Sequence, residues 1–203
     1  TACSGWLAHA TPGYDKDAAA FEYDTDKAQA LLKEAGVSNL KLSAKVRSGL
    51  SEKLLTAVQA YWQKVGVELS IQAEDNGVWA SDWADGNLQI TSLGWFPLFA
   101  DADNHMYTYF YSKNAEKKSS FYKNDEFDKL VSEARVDQYE TKRADNYKQA
   151  DNLLTREDYA TIPLYWPQGS FVAKDYVLNA KVGNLIYHAF DIDIDTSKED
   201  YTG

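Results

Sequence analysis

Residues 39–73 read NLKLSAKVRSGLSEKLLTAVQAYWQKVGVELSIQA. At the front, Leu40, Leu42, Ala44 and Val46 fall on every second position, the period of a strand with one buried face. RSGL turns the chain into SEKLLTAVQAYWQKVG, where Leu54, Leu55, Val58, Trp62 and Val65 form an apolar stripe at helical spacing and Gly66 ends it. VELSIQA then alternates again. A strand, a helix of about four turns and a second strand predict a parallel pair joined by a right-handed crossover, hence an α/β fold.

The flanking segments extend this unit. Upstream, residues 1–23 are rich in Ala, Gly and aromatics around the turn signal TPGYD, which predicts an extended lead-in. DTDKAQALLKEAG follows as a short amphipathic helix, with Asp24 as N-cap, Ala28, Leu31, Leu32 and Ala35 on one face, and Gly36 as its stop. Downstream, VWASDWADG predicts a short helix and NLQITSLG a further strand. That strand releases GWFPLFADADN (94–104), an aromatic, proline-containing loop closed by two aspartates and an asparagine. Loops are normally polar, so an apolar one either packs back or covers something. Its position at the carboxyl end of a strand is where open α/β sheets place ligands. Tyr107, Tyr109 and Tyr111 alternate like a strand or extended edge. YKNDEFDKLVSEARV and ETKRADNYKQADNLLTRED predict two more amphipathic helices. ATIPLYWPQGSFVAK predicts a pair of short strands broken by Pro167 and Gly169, and NLIYHAFDIDID an alternating strand.

Composition narrows the function. With 44% hydrophobic and 26% charged residues in 203, the chain is an ordinary globular one that can bury a core. A net charge of −10 and the lack of any basic block argue against nucleic acid as a partner. No apolar run approaches the roughly 18 residues of a membrane span. The single Cys3 excludes an internal disulfide and a cysteine-ligated metal. TACSG resembles the end of a lipoprotein signal, but the apolar segment that should precede it is absent.

His9, His105 and His188 have no metal-ligand spacing. Only His105, beside Asp101, Asp103 and Asn104, makes a candidate metal cluster, and a turn of solvated acids accounts for it more simply. DIDID at 191–195 puts three aspartates on one strand face but lacks the glycine and terminal glutamate of a calcium loop, and reads as a charged edge strand. No Gly-x-Ser-x-Gly and no glycine-rich phosphate loop occurs. Carboxylates paired for glycoside hydrolysis would need a separation of about 5–10 Å that a sequence does not display. Nothing calls for a catalyst, a metal or a cofactor, and the pattern is that of a binding protein.

The order of segments resembles the bacterial extracellular solute-binding proteins of the oligopeptide/dipeptide type, family 5, which serve ABC importers. The resemblance is carried by PGYD, YDTDKAQALLKEAG, LLTAVQAYWQKVGVELSIQ, GWFPLFADADN, FYKNDEFDKLVSEA and KRADNYKQADNLLTREDYATIPLY, from about residue 12 to 172. Members are longer and two-lobed, and close on ligand about a hinge. The resemblance therefore implies a periplasmic-binding-protein-like lobe (type II, cluster C), the second of the two, with a mixed sheet flanked by helices. It implies a ligand-binding lobe over 24–160 after the lead-in 1–23, and a return segment 161–203 towards a missing N-terminal lobe of the same polypeptide. Oligopeptide capture outside the cytoplasm follows as the expected function, with a peptide or other small solute and a membrane permease as partners. The expected location is the periplasm or a lipid anchor on the outer face of the membrane.

The family's loop resembles Gly-Trp-x-x-Asp-Tyr-x-Asp-x-x-Asn, in which the Asp of Asp-Tyr takes a peptide's α-ammonium. Here Leu98 stands at that position and Phe99 at the tyrosine. Leucine cannot pair with an ammonium, so the amine contact is made elsewhere or is absent. Trp95, Phe96, Leu98 and Phe99 are the expected cleft lining, with Asp101, Asp103 and Asn104 fixing the loop at its base. Arg47, at another strand end, is placed to reach a ligand carboxylate or a surface acid. The loss of the aspartate leaves oligosaccharide, or another non-peptide solute, as the alternative ligand on the same fold.

Overall fold

The computed structural model describes residues 3–9, 11–95, 99, 101–115, 120–167, 172–180 and 192–198. Helix α1 (Thr25–Glu34) starts where expected, the Asp24 carboxylate accepting the Lys27 amide at 2.8 Å, and Gly36 beyond its end has a φ of 67°. Its apolar face is not covered: no α1 residue is buried, and Leu31 is 56% exposed.

Strand β1 (Leu40–Arg47), helix α2 (Leu50–Gln63) and strand β2 (Val67–Glu74) follow, and the strands pair in parallel from Leu40↔Val67 to Arg47↔Glu74. Alternation gives the pair two different faces. On one, Leu42, Ala44, Val46, Leu69 and Ile71 pack against Leu54, Leu55, Val58 and Trp62 of α2. The other carries Lys41, Ser43, Lys45 and Arg47 beside Glu68, Ser70, Gln72 and Glu74.

The strand expected over NLQITSLG reduces to one parallel bridge, Ala44↔Ile90. The Lys45 amide donates to the Ile90 carbonyl at 3.0 Å, but the Ser43 amide is taken by the Gln89 side chain at 2.7 Å. A side-chain carbonyl there replaces the backbone acceptor that would have extended the ladder.

Helix α3 (Asn76–Asp85) covers the carboxyl end of the polar sheet face and stops at Gly86, in the left-handed region at φ 73°. The larger core lies beyond it. There α4 (Ala102–His105) runs into a π-helical stretch, Met106–Phe110, then α5 (Ser112–Ala115), α6 (Asp125–Val136) and α7 (Glu140–Asn152), the last continued by a second π-helical stretch, Leu153–Glu157. Asn124 caps α6 by accepting the Glu126 and Phe127 amides at 2.9 and 3.1 Å. Phe127, Val131 and Ala134 of α6 meet Tyr147, Ala150 and Leu154 around Met106 and Phe110. Tyr107, Tyr109 and Tyr111 therefore belong to or flank a π-helix rather than an extended edge. Ala102, Met106, Tyr109 and Phe110 recur at helical spacing and bury that face.

Among the described residues, 3–23 contain no helix or strand, yet Leu7 is fully buried in this core. The Trp6 and Leu7 amides donate to the Asp151 carboxylate at 2.8 and 3.1 Å. Burial raises that carboxyl above its ordinary range, and the two amides oppose the rise. Of the paired short strands expected over 160–174, residues 160–167 form only a one-residue bridge at Tyr165 and 172–174 form none, while 168–171, with Gly169, lie outside the described residues. Pro163 and Pro167 lack the amides a ladder needs. Strand β3 (Val177–Leu178) pairs antiparallel with β4 (Asp193–Ile194). Asp191 lies outside the described residues, while Asp193 and Asp195 bond their own neighbours, Ile194 and Ser197. Among the described residues no helix is long and apolar enough to cross a membrane.

Candidate functional site

Two networks hold the expected site residues. The first lies at the carboxyl ends of β1 and β2. Arg47, the last residue of β1, sets its guanidinium over the ring of Trp79, 4.8 Å from the centroid. Trp79 is only 4% exposed, donates its indole N–H to Thr91 Oγ1 at 3.0 Å and stacks on Trp83 at 5.6 Å. Helical spacing of four places both indoles on one face of α3. Arg47 Nε is buried with no hydrogen-bond partner, and among the described residues no carboxylate lies within ion-pair distance of this guanidinium. A planar cation braced on an aromatic face is suited to bidentate capture of a carboxylate.

Beside it, Glu74 ends β2 with its Oε1 3.7 Å from Lys45 Nζ and its Oε2 buried without a partner. Lys45 also bonds Asp82 of α3. The Asp82 contact raises the Lys45 ammonium and, reciprocally, holds the Asp82 carboxyl below its usual range.

The second network is the base of the 94–104 loop. Trp95 is half-buried against the core, 5.4 Å from the Tyr109 ring, and donates its indole N–H to the Asn104 carbonyl at 3.1 Å. Asp101 caps α4 through the Asp103 amide at 2.8 Å and accepts from Arg143 at 2.7 Å. Burial works to raise the Asp101 carboxyl, but Arg143 and the Asp103 amide outweigh it and hold it low. Asp103 takes Arg135 at 2.8 Å and the Tyr147 hydroxyl at 3.1 Å, while Arg135 lies 3.4 Å over the Tyr107 ring. Asn104 is buried. Phe99 is 55% exposed, and Phe96 and Leu98 lie outside the described residues.

Sequence reasoning missed Trp79, Trp83, Thr91, Arg135 and Arg143. The Trp79–Trp83 spacing was the one available signal; the arginines reach the loop from helices far along the chain. His105 is buried with both ring nitrogens unpartnered, and burial pushes it down to about 4 against the opposing charge of Asp101. Among the described residues no group of three or more His, Cys, Asp or Glu side chains is arranged to hold a metal ion.

The chain was compared with known proteins. The family model described as bacterial extracellular solute-binding proteins, family 5 Middle, matches residues 2–117. The dipeptide-binding protein of Escherichia coli strain K12 is 33% identical over 151 residues, 70% of this chain and 28% of that protein. Di/tripeptide-binding protein 4 of Pseudomonas aeruginosa strain UCBPP-PA14 is 29% identical over 184 residues, 85% of this chain and 34% of its own. Among solved structures, an ABC transporter-associated periplasmic binding protein from Helicobacter pylori, in complex with the peptide STSA, superposes with a TM-score of 0.75 at 27% identity. The match covers 81% of this chain and 33% of that one. The chain thus spans about a third of the length of these relatives. The fold is α/β, of the periplasmic-binding-protein type II. The family and these relatives are binding proteins, and this chain belongs to the bacterial extracellular solute-binding proteins, family 5.

Proposed function

We propose that this chain is one lobe of the substrate-binding component of an ABC importer, capturing oligopeptides outside the cytoplasm by closing against a second lobe of the same polypeptide. Its partners are the peptide and the transporter's membrane permease. Its place is the periplasm or, lipid-anchored, the outer face of the cytoplasmic membrane. The names of the relatives support the peptide class. The observation that carries the reading is Arg47, a guanidinium at a strand's carboxyl end, stacked on Trp79 and unpaired among the described residues. It serves as the seat of a ligand carboxylate. The half-buried Trp95 and the exposed Phe99 of the same loop face the ligand. Asp101, Asp103 and Asn104 keep the loop's base in place through Arg143, Arg135 and Trp95.

Sugar binding is less well supported. The relatives' names carry peptides, and the two indoles nearest Arg47 and the loop base are already engaged, Trp79 beneath the Arg47 guanidinium and Trp95 against the Tyr109 ring.

The test is calorimetric titration of the two-lobed polypeptide with tri-alanine. Arg47→Met is expected to weaken binding about a hundredfold, the scale of a lost charged hydrogen-bond pair. Unchanged affinity would remove Arg47 from the site.

A further inference from the structure

Arg47 and Glu74 occupy the same register position on neighbouring parallel strands. Cα partners of adjacent strands lie about 4.8 Å apart with side chains on one face, where opposite charges attract. Both groups also carry a buried atom without a hydrogen-bond partner, Arg47 Nε and Glu74 Oε2, so each would gain from the other. They nevertheless do not pair. Glu74, 7% exposed, is turned towards Lys45, with Oε1 3.7 Å from Nζ, while Arg47 lies over Trp79. Lys45 stands two positions before Arg47 on the same face of β1, and Asp82 of α3 holds its ammonium there.

We propose that Lys45 is a positioning residue that draws Glu74 away from Arg47 and so keeps the guanidinium open for a ligand carboxylate. The inference rests on the carboxylate-seat reading of Arg47. Without Lys45, Glu74, in register with Arg47 on the same face, turns onto it as an internal competitor occupying the ligand's place. Asp82 fixes the ammonium from the helix side, so the device spans three elements: β1, β2 and α3.

The experiment compares tri-alanine and its C-terminal amide on the two-lobed polypeptide, by titration calorimetry. Lys45→Met is expected to weaken the free acid at least tenfold and leave the amide unchanged. Lys45→Met/Glu74→Gln is expected to return the acid to within twofold of the parent, because glutamine carries no charge with which to compete. A Lys45→Met variant that binds the acid like the parent, or a double variant as weak as the single, overturns the inference. If Arg47→Met also leaves acid and amide binding unchanged, the carboxylate-seat reading falls with it. An Arg47→Met effect beside an inert Lys45→Met overturns the inference alone. The 203-residue chain gives a reading that needs no ligand. The Arg47 Nε–H resonance should move in Lys45→Met and return in the double variant, against a well-dispersed spectrum that establishes folding. A resonance that stays in place in Lys45→Met overturns the inference.

Discussion

His105 shows what a single residue contributes. It is 5% exposed, unpartnered at both nitrogens and held down to about 4 by burial. An unfolded histidine titrates near 6.5, so between these values the unfolded chain binds the extra proton and stability falls as pH drops. The contribution is complete above about pH 6.5 and fades towards pH 4. Urea unfolding at pH 7 and pH 5 should differ by about 2 kcal/mol more for the parent than for His105→Leu. Equal pH dependence in the two would show that the imidazole is solvated. Asp101 has the same sign, but its loss comes below the ordinary carboxylate range, so the two are separable. At this scale the sequence was legible where a residue acts on its own neighbours, as at Asp24. It was silent where the partner is remote: Asp101 finds Arg143, and Asp103 finds Arg135 and Tyr147, through helices that only the fold brings over the loop.

Among the elements, β1, α2, β2, α6 and α7 formed as read. Helix α6 is capped at its start by Asn124, whose side chain takes two otherwise free amides. Asn124→Ala should therefore destabilise the protein by about 1 kcal/mol, as judged by thermal unfolding. Asn124→Asp should destabilise it too, because it keeps the cap but replaces the Nδ2 donor 2.7 Å from Asp158 with a second carboxylate oxygen. A loss below about 0.3 kcal/mol would mean that packing of Phe127 and Val131, not the cap, sets the helix start. The misread elements share a cause. Tyr107, Tyr109 and Tyr111 alternate in sequence, but Met106 and Phe110 lie at helical spacing from Ala102 and bury into the core, and burial outweighs alternation. NLQITSLG alternates as well, but the Gln89 side chain answers the Ser43 amide and the ladder stops at one bridge.

In the whole molecule, Arg47 and the loop base are two separately braced networks, one on the small sheet and one on the helical core. The order of segments was what made the family legible, since no single motif specifies it. On the proposed two-lobe reading, the ligand groups that Arg47 and the loop meet depend also on the second lobe, and no sequence pattern within the 203 residues encodes them. A lobe that binds by closing supplies only part of the closed-state contacts. The isolated chain is accordingly expected to bind tri-alanine at least about a hundredfold more weakly than the two-lobed polypeptide, by calorimetry. A low-micromolar dissociation constant for the chain alone would show that one lobe suffices.

The bond between Asp151 and the amides of Trp6 and Leu7 also bears on how the molecule comes into being. It joins positions 144 and 145 residues apart. Closing so long a loop is slow, and its entropy is recovered only when Leu7 enters a cavity built by α6 and α7. During folding β1, α2 and β2 can assemble early, because those contacts are local. Trp6 and Leu7 find their places only once the helix bearing Asp151 is formed, so the large core closes after the small sheet.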